Sequence, residues 1–233
     1  PTGSENFFLQ CNGDNNITYT AQLRGGSQPY RVRLYRKDTA SAASNYSIER
    51  GAWDRQGINA SSVAFPNLGM GDYRVILSDT NSCTQSIRFF TINEREALGS
   101  SADTLEYAHG FNIRCIGESN GSITLFATGG LKPYLFTLFA DGDSLASYTN
   151  EANSNSRTFD ETLNNPRVSL EALNAMGDPI EYTWRVVDQL GCVLNSTDLA
   201  DGRITLSQPT QVEVDTSFLS FITPDFEVPC KNE

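Results

Sequence analysis

The sequence is poor in the residue types that carry most catalytic and metal-binding chemistry. Its 233 residues include a single histidine, His109, and its five cysteines form no CxxC pair. A catalytic triad needs a base within hydrogen-bond reach of its nucleophile, and zinc ribbons or thioredoxin-like sites need closely spaced cysteines. We therefore predict that the protein is not an enzyme, has no catalytic residue and needs no cofactor.

Long apolar runs and an excess of basic residues are also missing. No stretch reaches the roughly 18–20 apolar residues that a membrane helix needs, so we expect no membrane insertion of this chain. Lysine and arginine together number 17 against 28 acidic residues, which gives a net charge of −11. Because a nucleic-acid binder usually presents a basic face, we expect no nucleic-acid partner.

What the chain does have is an internal repeat with an offset of 104 residues. Cys11 and Cys115 each follow a Phe-x-aliphatic-x pattern, and each starts an ungapped match that ends at Tyr30 or Tyr134. Glycine accepts a positive φ and proline presets a turn, so the shared GG-x-x-PY motif predicts a tight connection between strands. Its structural turn residues are Gly25, Gly26, Pro29, Tyr30, Gly129, Gly130, Pro133 and Tyr134.

A second match covers the late part of each unit. The segments MGDYRVILSDTNSC and MGDPIEYTWRVVDQLGC end at Cys83 and Cys192, and an aspartate, Asp79 or Asp188, lies four residues before each cysteine. The segment FEVPC, which ends at Cys230, repeats the opening pattern once more. The predicted organisation is repeat 1 over 1–97, a short junction over 98–108, repeat 2 over 109–219 and the start of a truncated third repeat over 220–233.

Alternating apolar residues, frequent turn residues and the lack of capped helical periodicity predict an all-β fold. About seven short strands per unit favour tandem immunoglobulin-like β-sandwich repeats, which we expect to be arranged as a rod. The repeat-equivalent positions predict disulfides between Cys11 and Cys83 and between Cys115 and Cys192, with Cys230 unpaired. Such bonds imply an oxidising compartment, and five reduced thiols in a cytosolic protein are the alternative.

The least similar segments of the two units, 37–66 and 141–178, are the predicted recognition loops. Loops on a rigid scaffold often carry binding residues, and amphipathic aromatic rings stack on sugars. We therefore name Tyr46 and Trp53 as candidate ligand-binding residues. Local packing is the competing interpretation of Trp53, and the one that we favour.

Acidic side chains suggest two further hypotheses. Calcium takes six to eight oxygen ligands, so a structural calcium is considered although no EF-hand loop is present. Its candidate ligands are Asp141, Asp143, Asp198 and Asp201. The pairs Asp141/Asp143 and Glu49/Asp54 are of the type that glycosidases use. A turn at the end of a strand explains the first pair better, and a solvated loop explains the second.

Taken together, Cys followed by an Asn/Gly-rich turn, GG-x-x-PY, a GDY-type strand and Asp-x-x-x-Cys resemble the SprB repeat. That repeat makes up large cell-surface adhesins of gliding Bacteroidota and related secreted proteins. The resemblance implies type IX secretion, display on the exterior of the outer membrane, and a non-enzymatic role as stalk or adhesive repeats in surface attachment and gliding motility.

The resemblance also implies partners. They are neighbouring repeats of the same chain, surface polysaccharide and the gliding machinery. The alternative function that stays open is an ancillary polysaccharide-binding module of a secreted protein, which would use segments 37–66 and 141–178.

Overall fold

The computed structural model describes residues 5–37, 46–47, 53–81, 85–150, 153–162 and 167–213. Within these ranges the regular structure consists of β-strands and two short 3-10 helices, which confirms the all-β prediction. The strands form two β-sandwich units in tandem. The predicted start of a third repeat, 220–233, lies outside the described residues. In the described part, no helix is long and apolar enough to cross a membrane.

The first unit has two sheets that face each other. One has the strand order β1-β8-β7-β3-β4, with β5 also paired to β3, and the other is formed by β2 and β6. β1 runs parallel to β8, whereas the other pairs are antiparallel. The strands are β1 (Glu5–Phe8), β2 (Ile17–Gln22), β3 (Tyr30–Lys37), β4 (Tyr46–Ser47), β5 (Asp54–Ile58), β6 (Ser62–Leu68), β7 (Gly71–Ser78) and β8 (Gln85–Asn93).

The second unit repeats this plan. Its sheets are β13-β10-β9 and β12-β11-β14-β15, with β16 also paired to β14. The strands are β9 (Gly99–Thr104), β10 (Ile123–Thr128), β11 (Leu135–Ala140), β12 (Asp143–Thr149), β13 (Ser156–Phe159), β14 (Glu181–Val187), β15 (Val193–Asn195) and β16 (Ile204–Thr205). The 3-10 helices are Ala108–Gly110 and Ser196–Asp198.

Each unit has its own hydrophobic core between its two sheets. In β3, alternate residues Tyr30, Val32 and Leu34 are buried, as expected for a strand with one face turned inward. β10 follows the same period with Ile123 and Leu125. Fully burying a side chain of this size contributes roughly 1.5–3 kcal/mol, so the alternation fixes which face of each strand points inward.

The predicted junction and recognition loops need correction. Segment 98–108 contains β9, which pairs along its whole length with β10 and is therefore an edge strand of the second unit. Segment 37–66 contains β4, β5 and part of β6, and 141–178 contains β12 and β13, so neither segment is only a loop. The polar sequence GSSADT of β9 does not predict a strand, because an edge strand that buries one face needs few apolar residues.

The predicted disulfide pairing was wrong. Cys11 is bonded to Cys192, with a Cα–Cα distance of 5.6 Å, and Cys115 is an exposed free cysteine. Because β1 is parallel to β8, the chain reaches Cys11 beyond the end of β8, on the side from which the chain continues into the second unit. Cys83, the predicted partner of Cys11, is outside the described residues.

Candidate functional site: the junction between the units

Both units contain a GG-x-x-PY turn with the same backbone geometry. The peptide bonds before Pro29 and Pro133 are cis, and all four glycines have positive φ values. These values are 75° and 65° at Gly25 and Gly26, and 64° and 56° at Gly129 and Gly130. Only glycine adopts such values without a steric cost, so the glycine pair is required by the backbone of the turn itself.

A tyrosine closes each turn from the inside. The Tyr30 hydroxyl donates a hydrogen bond of 2.6 Å to the Gly25 carbonyl, and the Tyr134 hydroxyl donates one of 2.5 Å to the Gly129 carbonyl. Both rings are buried in the core of their unit. Burial raises the pKa of Tyr134, and the nearby Asp188 carboxylate adds to this shift. The motif therefore forms, in each unit, a turn that is held by a hydrogen bond from its own tyrosine.

Asp188 joins the second of these turns to the late cysteine. Its Oδ2 accepts a hydrogen bond of 2.9 Å from the Leu131 backbone N–H. Its Oδ1 accepts two more, each of 2.9 Å, from the backbone N–H groups of Leu190 and Cys192. Hydrogen bonds to a carboxylate are stronger than neutral ones, and Asp188 is only 5% exposed. The Cys192 turn is thereby fixed against the GG-x-x-PY turn.

The residues that follow β1 contact the Cys192 turn of the second unit. The Cys11–Cys192 disulfide links the two units covalently. One residue earlier, the Gln10 side chain donates from Nε2 to the Leu190 carbonyl over 2.7 Å. Contacts between residues about 180 positions apart fix the end of the first unit against the second.

The residues between β8 and β9 pack on the glycines of the second unit. The Gly130 N–H donates to the Glu96 carbonyl over 3.0 Å. A Cβ on Gly129 would overlap the Ala97 carbonyl oxygen. Glycine is therefore required at this position by the close approach of another backbone segment, in addition to its positive φ. Leu98 adds an apolar contact against the core of the second unit.

The equivalent turn of the first unit has open surroundings. Among the described residues, no atom lies within 4 Å of the position that a Cβ on Gly25 would take. A pocket of about 150 Å³ is found there, bounded by Gly25, Gly26 and Asp79. Asp79 accepts a hydrogen bond of 3.2 Å from the Ser27 N–H, which parallels the Asp188 bond to Leu131. In the part of the chain that the structure describes, the same turn is thus covered in the second unit and open in the first.

The two predicted ligand-binding residues lie apart from this junction. Trp53 is 8% exposed and packs against Tyr73, with ring centroids 5.9 Å apart. Its edge lines a pocket of about 270 Å³ together with Arg36 and Arg55. Tyr46 lies in β4, and its side chain is outside the described residues. Ligand contact by Trp53 and Tyr46 stays a prediction.

The acidic candidates have local structural partners. Asp141 lies in the turn between β11 and β12, and its Oδ1 accepts the Glu181 N–H over 2.9 Å. Asp54 accepts two hydrogen bonds from Arg31, which lower the pKa of Asp54. Glu49 is outside the described residues. Within the described ranges, no group of three or more His, Cys, Asp or Glu residues could hold a metal, and structural calcium stays a prediction.

Sequence reasoning gave no role to Asp188 or Leu98. For Asp188, the signal was an aspartate four residues before the late cysteine in both units. For Leu98, the signal was an apolar residue in an otherwise polar segment, at a position that holds Val212 after the second unit. Both signals become meaningful once the pairing of β1 with β8 places the first unit's end at the junction.

A family comparison agrees with this repeat organisation. The SprB repeat model matches residues 112–139, which include the GGLKPY turn, and this confirms the resemblance to SprB-type repeat proteins. SprB repeats come from cell-surface proteins and are a non-catalytic kind of module. No curated protein matches the chain.

Several solved structures of modular proteins are also similar. The BSP domain of a biofilm associated protein is 13% identical and has a TM-score of 0.30, with 90% of this chain and 30% of that chain covered. The four N-terminal Ig domains of Dscam1 isoform 6.9 are 10% identical and have a TM-score of 0.32, with 88% of this chain and 44% of that chain covered. The Clostridium thermocellum CbhA fibronectin(III)-like modules are 10% identical and have a TM-score of 0.30, with 92% of this chain and 97% of that chain covered. The chain spans less than half the length of the first two, and likeness at these TM-scores identifies no function.

Proposed function

We propose that this chain is part of a large repetitive cell-surface adhesin, in which its units form a non-enzymatic, load-bearing stalk. The observation that carries the proposal is the junction. Two equivalent sandwiches are held together by the Cys11–Cys192 disulfide, by the Gln10 to Leu190 hydrogen bond, and by backbone contacts that involve Gly130. A junction with covalent and backbone contacts suits a stalk that keeps its shape under tension. The SprB match over 112–139 supports the adhesin class.

The disulfide gives the stalk a defined path for force. When the chain is pulled from its two ends, tension enters at Cys11, crosses the disulfide and leaves at Cys192. The 181-residue separation between these cysteines is then shielded, so most of both sandwich cores stays out of the path of the load, while β1, β15 and β16 lie outside the shielded segment. An adhesin that must hold a cell against drag gains resistance to extension without any need for a larger core.

Single-molecule force spectroscopy on the full chain tests this mechanical role. A 181-residue segment spans about 600 Å when it is fully extended, at roughly 3.3–3.6 Å per residue. We expect that length to be absent from the unfolding record of the oxidised protein and to appear in the Cys11→Ser variant. Cys115→Ser is the matched control, because it removes a cysteine but leaves the junction disulfide. Equal extension of oxidised wild type and Cys11→Ser would contradict a load-bearing junction.

Surface display, export by the type IX system and a part in gliding belong to the same proposal. They are supported by the SprB match, because SprB repeats come from cell-surface proteins. The test is labelling of intact cells of the source organism with an antibody against this chain, with and without added protease. Labelling that a protease removes from intact cells is expected, and labelling only after lysis would contradict surface display. Loss of gliding on deletion of the gene would support the motility role.

One observation favours a second candidate function, polysaccharide binding. The pocket beside Trp53 has an aromatic edge and two arginines, Arg36 and Arg55, which is a suitable lining for a sugar. Because Trp53 belongs to the core, the useful variant is Arg55→Ala, whose side chain is exposed. Glycan-array binding that Arg55→Ala weakens would support a binding module. An array without any bound glycan would leave the stalk as the function of this chain.

A further inference from the structure

The pocket beside Trp53 lies between the two sheets of the first unit, at the edge formed by β5. In β3, inward side chains alternate with outward ones, and this alternation reaches Arg36. The Leu34 N–H donates to the Trp53 carbonyl over 2.9 Å, and Val32 is the pairing partner of Arg55. Trp53 and Arg55, two residues apart at the start of β5, therefore lie on the inward face together with Arg36.

The opposite wall of the pocket comes from the second sheet of the unit. Pro66 and Asn67, at the end of β6, line the pocket together with Gly69 and with Asn15, which precedes β2. A Cβ on Gly69 would overlap Asn15 Oδ1, so glycine at this position allows the Asn15 side chain to approach the wall. The Tyr73 hydroxyl is engaged with the Gly69 carbonyl over 2.7 Å. The side-chain amides of the two asparagines are thus the hydrogen-bonding groups that this wall offers.

Two positive charges line the pocket and, among the described residues, no carboxylate does. Arg36 is half-buried and donates from Nη2 to the Met70 carbonyl over 2.5 Å. Arg55 is exposed, and it has no hydrogen bond or ion pair within the described part of the chain. A guanidinium group has five N–H donors, so both arginines keep donors for a ligand.

The carboxylates nearest in sequence to these arginines have other partners. Asp54, which precedes Arg55, accepts two hydrogen bonds from Arg31 on the outward face of β3. Asp72, near the start of β7, has an Oδ2 that lies 3.7 Å from Lys37 Nζ. Because an unpaired charge away from water is costly, the lining of the pocket favours a ligand of negative charge.

The second unit has other residues at the equivalent positions. At the repeat offset of 104, Ala140 takes the place of Arg36. The pairing of β12 with β11 puts Tyr148 at the place that Arg55 has beside β3. Neither alanine nor tyrosine carries a positive charge, so the pair of arginines is a property of the first unit alone.

The net charge of the chain is also unevenly distributed. Residues 1–97 contain ten of the 17 basic residues and nine of the 28 acidic residues. The remaining residues therefore carry the negative charge that gives the chain its net charge of −11. Exposed charges farther apart than about 8–10 Å are largely screened at physiological ionic strength, so this negative charge does not keep an anion from the first unit.

We propose, on the premise of the polysaccharide-binding function above, that this pocket binds an acidic sugar through its carboxylate, such as a uronic acid unit. The planar fork of a guanidinium group matches a carboxylate with two parallel hydrogen bonds. The amides of Asn15 and Asn67 suit ring hydroxyls, and the edge of Trp53 suits the apolar part of a sugar ring. Its volume of about 270 Å³ lies just below the range of about 300–1,000 Å³ for drug-sized ligands, which suits one sugar unit.

Isothermal titration calorimetry of the full chain with trigalacturonic acid and with its neutral methyl ester tests the charge of the ligand. We expect the acid to bind at least about tenfold more tightly, because the ester cannot form charge-assisted hydrogen bonds. Equal affinities would overturn the inference and leave polysaccharide binding in place. Binding of neither probe, beside neutral glycans that bind on an array, would also overturn it. An array without any bound glycan would contradict both the inference and its premise.

Three arginine variants separate the pocket from general attraction between charges. Arg55→Ala should weaken binding of the acid at least about tenfold, and Arg55→Lys should recover part of the affinity, because lysine keeps the charge but not the planar fork. Arg88→Ala is the matched control, since Arg88 is an exposed residue of β8 and its loss changes the net charge equally. We expect the control to bind as the wild type does. Equal weakening by Arg55→Ala and Arg88→Ala, with unchanged circular dichroism, would overturn the inference.

Discussion

The two GG-x-x-PY turns share their sequence pattern, their glycine φ values and their tyrosine hydrogen bond, but they differ in their surroundings. Around Gly129 the chain of the first unit passes so close that only a hydrogen atom fits, whereas around Gly25 the described structure leaves open space. The shape of the turn is therefore set within each unit. The contact between units is a separate property, which the same glycines make possible.

The largest expected effect separates these two roles of glycine. Gly25→Ala should cost about 1 kcal/mol, because alanine is strained at positive φ. Gly129→Ala should cost that strain and about 3 kcal/mol more, because its Cβ overlaps the Ala97 carbonyl and the junction must move. Chemical unfolding of both oxidised variants measures the difference. Equal losses would show that the junction contact at Gly129 has no energetic weight.

The next effect concerns the aspartate beside each turn. Asp188→Ala leaves three backbone N–H groups without their acceptor, and we expect a loss of about 3 kcal/mol. For Asp79 the structure describes one such bond, to Ser27, and Asp79→Ala should cost about 1 kcal/mol. Thermal unfolding of the two variants in parallel provides the comparison. An equal or larger loss for Asp79→Ala would contradict the special place of the junction aspartate.

Removal of the tyrosine hydroxyl should lower the free energy of unfolding equally in the two turns. Tyr30→Phe and Tyr134→Phe each remove one hydroxyl that donates to a glycine carbonyl, at a cost of about 1 kcal/mol each. Because this bond lies within a unit, the junction should not change its value. Denaturant unfolding of both variants is the measurement. A loss of stability confined to Tyr134→Phe would mean that the hydrogen bond from the tyrosine hydroxyl to the glycine carbonyl depends on the contact with the first unit.

The smallest effect is a dependence on alkaline pH that should arise in the second unit. Burial raises the pKa of Tyr182 to about 12, whereas an unfolded tyrosine titrates near 10. Between these values the folded form keeps a proton that the unfolded form releases, so stability is complete below pH about 10 and falls as the pH rises toward 12. Urea unfolding at several pH values, with free thiols alkylated beforehand, measures the slope. Tyr182→Phe should reduce the slope, and an unchanged slope would assign it to other groups.

The repeat offset allowed much of each unit to be predicted from the sequence, because local geometry follows local residues. The turns at Gly25 and Gly129, the alternation in β3 and the separation of two cores all follow from sequence patterns. The partner of Cys11 could not be predicted in this way. A late cysteine of the same unit and one of the next unit occupy equivalent repeat positions, and only the parallel pairing of β1 with β8 decides between them. The edge strand β9 was missed because its polar sequence hides a strand.

The junction between the units depends on the Cys11–Cys192 bond, which peptide mapping of the oxidised protein can test. The chain is alkylated without reduction, digested, and analysed for linked peptides by mass spectrometry. Among the cysteines that the structure describes, we predict a linked pair of Cys11 with Cys192 and an alkylated Cys115. A map with Cys11 linked to Cys83 and Cys115 linked to Cys192 would place each disulfide inside one unit and contradict the stapled junction.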